Sequence, residues 1–310
     1  MNKFADLDAF TAVVEAGTFS AAGERLGIAK SVVSRRISQL EARLGSRLLH
    51  RTTRRLALTD AGRNFYQRAV QILADLDDAE QSVTEETARL SGSIKLAAPL
   101  SFGLVHLSNA IADFLREHPA IQLSMDLNDR NINLVEEGFD MAVRIGDLQD
   151  STLVARRLGT VRHVTCASPE YLQKFGEPVH PDELEQHTGL QYSNISYKQQ
   201  WCYRTPEGKT VFGRPQIRVR SNNGESLATA AVAGLGITTG PTFILGRYIK
   251  EHSLVTLLNT YQRPATGIHA VYPPGRLIPK RIQAFSDFLA DRFGDQPHWD
   301  EALAIPRRSD

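Results

Sequence analysis

Residues 31–45 read "SVVSRRISQLEARLG". Val33, Ile37, Leu40 and Leu44 recur at steps of four, three and four, which draws one apolar stripe along an α-helix. At 100° per residue, Ser31, Ser34, Arg35 and Ser38 gather on the other side. A helix that needs only solubility carries Glu and Lys there. Short hydroxyls around one guanidinium make a low, hydrogen-bonding surface suited to close approach by a polar partner.

Upstream, "LDAFTAVVEAG" pairs Leu7, Phe10, Val13 and Val14 at helical spacing and stops at Gly17. A short helix over 20–26 follows in "SAAGERLG", with Ser20 as the expected N-cap and Gly27 as its end. Two helices joined by a glycine-containing turn form a helix-turn-helix pattern. Downstream, "RTTRR" followed by Leu56, Ala57 and Leu58 predicts a β-hairpin wing carrying Arg51, Arg54 and Arg55.

Charge follows the same layout. The chain of 310 residues has a formal net charge of only +1. Yet Arg25, Lys30, Arg35, Arg36, Arg43, Arg47, Arg51, Arg54 and Arg55 lie between positions 25 and 58 against a single acid, Glu41. A concentrated basic patch on a nearly neutral chain points to a local polyanion site.

Thr59 is the expected cap of a long helix over 60–90. Phe65, Ala69, Ile72, Leu76, Ala79, Val83 and Leu90 keep a period near 3.5 along it, interrupted at Thr87, and Asp75, Asp77, Asp78, Glu80, Glu85 and Glu86 flank them. A narrow seam of this kind favours pairing with a second helix, hence self-association. Packing on its own domain is the alternative.

"SGS" at 91–93 reads as a hinge. Beyond it, strands and helices alternate: "SIKLAA", helix 102–117, "IQLSMDL", helix 131–137, "DMAVRI", "VRHVTCAS", "GLQYS", "QIRVRS", helix 225–233, "GITT", helix 243–250, "LVTLL", "GIHAVYP" and helix 280–293. This alternation predicts α/β layers with mostly parallel strands. The end, "GDQPHWDEALAIPRRSD", has no period and reads as a loose tail.

Other classes are disfavoured. There is no apolar run long enough to span a bilayer and no signal-peptide core near the start, so a cytoplasmic chain without membrane contact is expected. Cys166 and Cys202 lack a CxxC pattern and read as buried thiols. The nine histidines show no ligand spacing, so no metal or cofactor is expected. "GLGITTG" gives GxGxxxG, one residue too long for a dinucleotide fingerprint, and runs from helix into strand. No nucleophile elbow stands out, so the chain is not expected to be an enzyme.

The helix-turn-helix reading assigns roles. A recognition helix presents its first turns to base edges in the major groove, about 12 Å wide. Ser31, Ser34 and Ser38 permit close approach there. Arg35 can fork onto guanine, Lys30 can reach a base or phosphate, and Val32 can touch a thymine methyl. Arg54 suits the neighbouring minor groove. Arg36, Arg51, Arg55 and the amides near Ser20 suit phosphates.

The stretches "LDAFTAVVEAGTFSAAGERLGI", "SRRISQLEARLGSRLLHRTTRRLALTDAG", "NDRNINLVEEGFDMAVRIGDL" and "AAVAGLGIT" resemble the LysR-type transcriptional regulators over nearly the whole chain. The resemblance implies a winged helix-turn-helix over 1–59, a linker helix over 60–90 and an α/β effector domain over 91–300 like periplasmic solute-binding proteins. The effector domain would hold subdomain I (91–162 and 268–300) and subdomain II (163–267), with 301–310 as a tail. Lys30, Ser31, Ser34, Arg35 and Arg54 match the family's base-reading positions. The implied partners are double-stranded DNA with a pseudo-palindromic operator, a small-molecule effector of anionic character, further copies as dimers and tetramers, and RNA polymerase.

Ligands in such folds sit at the carboxyl ends of strands. Leu100, Ser101, Asn128, Asp129, Arg144, Gly146, Asn222, Asn223 and Thr239 are the resulting cleft residues. Ser101, at a helix start, suits an anion or serves as a plain cap; Arg144 suits a carboxylate or an interdomain ion pair. A DNA-tethered enzyme and an architectural DNA protein without effector are the competing readings.

Overall fold

Asn2 opens the first helix in the computed structural model, which describes residues 2–51, 56–83, 90–130, 132–146, 153–194, 200–274 and 278–300. Its side chain accepts from the Ala5 amide at the head of α1 (Lys3–Ala16). The next helix, α2 (Phe19–Leu26), is capped by Thr18 rather than Ser20. Thr18 is the residue in extended conformation, and its hydroxyl accepts from the Ala21 amide at 3.1 Å, so Ser20 falls inside the first turn. Gly23 lets α2 meet the chain leading into α3 (Lys30–Leu44). A β-carbon there would stand 2.7 Å from the Ile28 carbonyl oxygen.

The stripe of α3 packs as expected through Val33, Ile37 and Leu40, all fully buried against Leu7, Phe10, Val13, Leu48 and Leu49. Leu44, its fourth member, is 41% exposed. The seam between α3 and α1 closes one residue earlier, where Arg43 pairs with Asp6, and Leu44 ends the helix beyond it.

The wing is an antiparallel pair, β1 (Leu49–Arg51) and β2 (Leu56–Leu58), with Leu49 opposite Leu58 and Arg51 opposite Leu56. Its tip, with Arg54 and Arg55, and the Arg51 side chain lie outside the described residues. Then α4 (Asp60–Val83) begins under Thr59, whose hydroxyl accepts from the Gly62 amide at 2.9 Å and donates to the Arg47 carbonyl. Phe65 and Ala69, expected in an intermolecular seam, pack on their own domain with Tyr66 and Leu73. Phe65 and Tyr66 lie 5.6 and 6.4 Å from the Phe10 ring centre, so this aromatic contact claims the first turns of α4. Ile72 and Val70 are exposed.

The chain divides into two compact units, Met1–Ser93 and Ile94–Asp310. The second is α/β. In chain order it runs β3 (Gly92–Ala98), α5 (Leu100–Phe102), a π-helical stretch (Gly103–Leu107), α6 (Ser108–Glu117), β4 (Ile121–Leu127), β5 (Met141–Ile145), β6 (Val154–Val161) and β7 (His163–Ala167). It continues α7 (Pro169–Phe175), β8 (Thr188–Tyr192), β9 (Trp201–Arg204), β10 (Thr210–Gly213), β11 (Gln216–Ser221) and α8 (Gly224–Val232). It ends β12 (Ile237–Pro241), α9 (Thr242–Lys250), β13 (Val255–Leu257), β14 (Thr266–Tyr272) and α10 (Lys280–Phe293).

Two five-stranded sheets result, ordered β4-β3-β5-β14-β6 and β11-β8-β12-β7-β13. The chain passes from the first to the second at Arg162, and back through residues 258–265. The sheets are mixed rather than mostly parallel. β14 returns beside β6 and β5 and pairs antiparallel with both, as β7 does with β12 and β13. Parallel pairing is kept between β3 and β5, β8 and β11, and β8 and β12.

Two further expectations are corrected. Where a helix is expected over 131–137, residues 134–138 form a turn, because the Asn133 carboxamide captures the Val135 and Glu136 amides and Gly138 adopts a φ of 68. The tail is ordered through Asp300. Trp299 is buried between Phe102, Phe293 and Phe243, and the Asp300 carboxylate accepts from Arg162 at 2.8 Å. One large aromatic fixes a segment that shows no periodicity. Residues 301–310 lie outside the described residues.

Candidate functional site

The buried stripe of α3 leaves its opposite face outward. Lys30, Ser31, Arg35 and Ser38 are exposed, while Val32, Ser34 and Arg36 are half-buried. Ser20 is exposed at the start of α2. The hydroxyls and the Arg35 guanidinium therefore form one polar surface held by a fully packed back.

The other cations of the patch divide by partner. Arg36 donates to the Ala5 carbonyl at 3.3 Å, and Arg43 donates to the Asp6 carboxylate at 3.1 Å; both fasten α3 to α1. Arg25 pairs with Glu15. Glu41, the lone acid, accepts from the Leu48 and Leu49 amides at 2.9 and 3.2 Å and so holds the start of the wing against α3. Part of the basic excess is thus internal scaffolding, and Lys30 and Arg35 stand at the exposed end of the helix.

In the α/β unit, Leu100 and Asp129 meet at the carboxyl ends of β3 and β4: the Leu100 amide donates to the Asp129 carboxylate at 3.2 Å. Burial raises the Asp129 carboxyl above the usual carboxylate range, and the Leu100 amide opposes that shift. Ser101 is buried beside them and is not a cap, since Pro99 holds the cap position. Asn128 donates to Asp126 at 2.7 Å and accepts from the Arg130 amide.

Across from this group, at the end of β8, Asn194 donates to the Asp129 carbonyl at 2.9 Å. Burial and then the Asp129 charge raise the Tyr192 hydroxyl. Tyr192 and Asn194 escaped the sequence reading, although "GLQYSN" ends a strand just as "MDLND" does. Leu100, Ser101, Asn128 and Asp129 thus come together with Tyr192 and Asn194, offering a carboxylate, a carboxamide and a phenol between the two sheets.

The remaining cleft residues do not join them through any described contact. Arg144 donates to the Ile132 carbonyl at 2.9 Å and holds the loop before β5. Gly146, at a φ of 136, donates its amide to the Gly267 carbonyl. Asn223 caps α8 by accepting from the Ser226 amide, and Asn222 is exposed. Thr239 lies opposite Thr165 on β12, with its hydroxyl buried. Burial pushes the Cys166 thiol well above its ordinary range, while Cys202 is half-buried; both are free. Among the described residues no group of His, Cys, Asp and Glu is arranged to hold a metal, and no helix is long and apolar enough to cross a membrane.

Two family models match the chain. That of the bacterial regulatory helix-turn-helix proteins of the lysR family covers residues 4–63, and that of the LysR substrate binding domain covers 87–294. An HTH-type transcriptional regulator of Haemophilus influenzae is 38% identical over 286 residues, 92% of this chain and 99% of its own. The solved structure of CrgA, a LysR-type transcriptional regulator from Neisseria meningitidis, is 34% identical with a TM-score of 0.57, covering 94% of this chain and 98% of that one. The full-length virulence activator AphB of Vibrio cholerae is 30% identical with a TM-score of 0.56, covering 94% and 99%.

Proposed function

The chain belongs to the LysR-type transcriptional regulators, and from that membership we propose how its residues divide the work of reading DNA and sensing a metabolite. Residues 1–59 bind DNA, 60–90 link and dimerise, and 91–300 sense the effector. Lys30, Ser31, Ser34 and Arg35 enter the major groove with Val32 and Ser38 beside them. Arg54 takes the minor groove, Ser20, Arg51 and Arg55 meet phosphates, and Arg36 reaches one only through the donors its bond to the Ala5 carbonyl leaves over. The observation that carries this is the exposed Lys30–Ser31–Arg35–Ser38 face of α3, set on a fully buried Val33–Ile37–Leu40 back.

Two copies joined through α4 would place two such faces on a pseudo-palindromic operator about one helical turn apart, and pairs of dimers would make tetramers. A small effector, anionic in character, binds between the sheets near Ser101, Asp129, Tyr192 and Asn194 and is not turned over. It regulates because its affinity differs between conformations of the domain. The protein works in the cytoplasm, on chromosomal DNA and beside RNA polymerase. In vitro selection from random duplexes, followed by anisotropy titration with and without a metabolite panel, tests this. Recovery of a two-fold symmetric sequence whose affinity responds to one metabolite is the expected result. Recovery of no consensus would overturn it.

A further inference from the structure

Beside the two chain crossings that join the sheets, at Arg162 and at residues 258–265, a set of polar groups does not satisfy itself. Arg263 lies in the segment that crosses from β13 to β14, its guanidinium carbon 5.2 Å from the Tyr203 ring centre. The Tyr203 hydroxyl is 2.9 Å from Thr165 Oγ1. The register of β7 and β12 sets Thr239 opposite Thr165 and Pro241 opposite His163. His163, Thr165 and Thr239 therefore share the sheet face that carries Tyr203.

Among the described residues, Arg263 Nε and Nη1, His163 Nδ1 and Thr239 Oγ1 are buried without a hydrogen-bond partner. The set is rich in donors. It holds two guanidinium nitrogens with three N–H groups between them, a hydroxyl and an imidazole nitrogen, with a full positive charge. Leaving a guanidinium buried with unused donors is among the costlier arrangements in a protein interior. An oxyanion answers both deficits, since its two oxygens match the guanidinium fork and its charge offsets the cation. Burial and then the Arg263 charge hold His163 neutral, down to about 3.

We propose that Arg263, with His163 and Thr239, forms an oxyanion-binding subsite beside the two crossings between the sheets of the α/β unit, taking the carboxylate, sulfate or phosphate group of a small ligand. The inference rests on reading this unit as the effector sensor, and it gives the anion to Arg263 rather than Arg144, whose guanidinium already holds the Ile132 carbonyl. Arg263 stands in one crossing segment and His163 directly follows Arg162 in the other. An anion bridging them acts on the joint about which the sheets would move.

The test uses the full chain in calorimetry and thermal unfolding at constant ionic strength. The probes are inorganic sulfate and phosphate, acetate and benzoate, with acetamide as the neutral control. Saturable binding of one oxyanion class, absent for acetamide, is expected; the carboxylate and tetrahedral arms identify which. Arg263→Gln should weaken it by about tenfold or more, the scale of hydrogen bonds to a charged group. Thr239→Val, a near-isosteric change, should weaken it less and carries the test if R263Q does not fold. Binding kept by both variants and lost in Arg144→Gln overturns the subsite and leaves the cleft reading standing. Binding through Arg263 that never alters operator affinity overturns the effector reading and leaves the subsite.

Discussion

Arg43, in the last turn of α3, donates to the buried carboxylate of Asp6 in the first turn of α1 at 3.1 Å. The pair crosses the helix-turn-helix core at the end away from the proposed DNA-reading residues. It separates a scaffold role from a contact role within one basic run. Replacing Arg43 by Ala leaves a buried carboxylate without its partner and should destabilise the N-terminal unit by about 1–3 kcal/mol. Chemical denaturation measures this. Where R43A remains folded its base preference should be unchanged; a shifted operator consensus would assign Arg43 to the DNA instead.

Glu41 makes a second prediction. Its carboxylate accepts from two consecutive amides, Leu48 and Leu49, both in buried residues at the entry to the wing. Glu41→Ala strands these donors and should cost about 1–3 kcal/mol, whereas an ordinary surface substitution falls within about 0.5 kcal/mol. Although it removes a negative charge beside the basic patch, E41A should not tighten DNA binding, because it loosens the wing. Tighter binding at every salt concentration would contradict this.

The helices of the N-terminal unit were legible because their stripes and glycine stops are local. Gly17 and Gly27 end α1 and α2 where the pattern said. What escaped were side chains whose partners lie far along the chain. Nothing near Arg43 announces Asp6, and nothing near Trp299 announces Phe102 and Phe243. The long helix was legible only in part for the same reason. A period near 3.5 records an apolar edge but not what covers it, and Phe10 covers the first part. Strand-end topology grouped Leu100, Asp129 and Arg144; the first two are hydrogen-bonded to each other, whereas the Arg144 bond runs to the preceding loop. Alternation along a strand fixes a face, not the reach of a guanidinium.

His106 links the tail to pH. It is buried among Phe102, Phe243 and Trp299, its Nδ1 3.3 Å from His298 Nε2. Burial lowers it to about 4 from an ordinary 6.5. Because the folded value lies below the unfolded one, the unfolded chain binds the extra proton first. This contribution to stability is complete above pH 6.5 and is lost as pH falls toward 4, by up to about 3 kcal/mol. Urea denaturation of the α/β unit at pH 7.5, 6 and 5 should show the decline, and His106→Gln should make it shallower, leaving the part carried by the buried His163. An identical pH slope in H106Q would remove His106 from the explanation.

Ile72, 44% exposed on α4, is the described seam residue left uncovered by its own domain. If α4 pairs with a second copy, Ile72→Glu should shift sedimentation toward the monomer and weaken operator binding, while leaving the fold's circular dichroism unchanged. A variant that sediments like the parent would move the dimer contact off this helix.

The most direct measurement is the sequence preference of Arg35→Ala, read by anisotropy on the selected operator and on a scrambled duplex at one fixed salt concentration. Loss of about 1–3 kcal/mol of discrimination, with binding to the scrambled duplex largely retained, is the expected result for a guanidinium that reads a base. Full discrimination in R35A, or an equal loss on both duplexes, would contradict the assignment of this α3 face to the major groove.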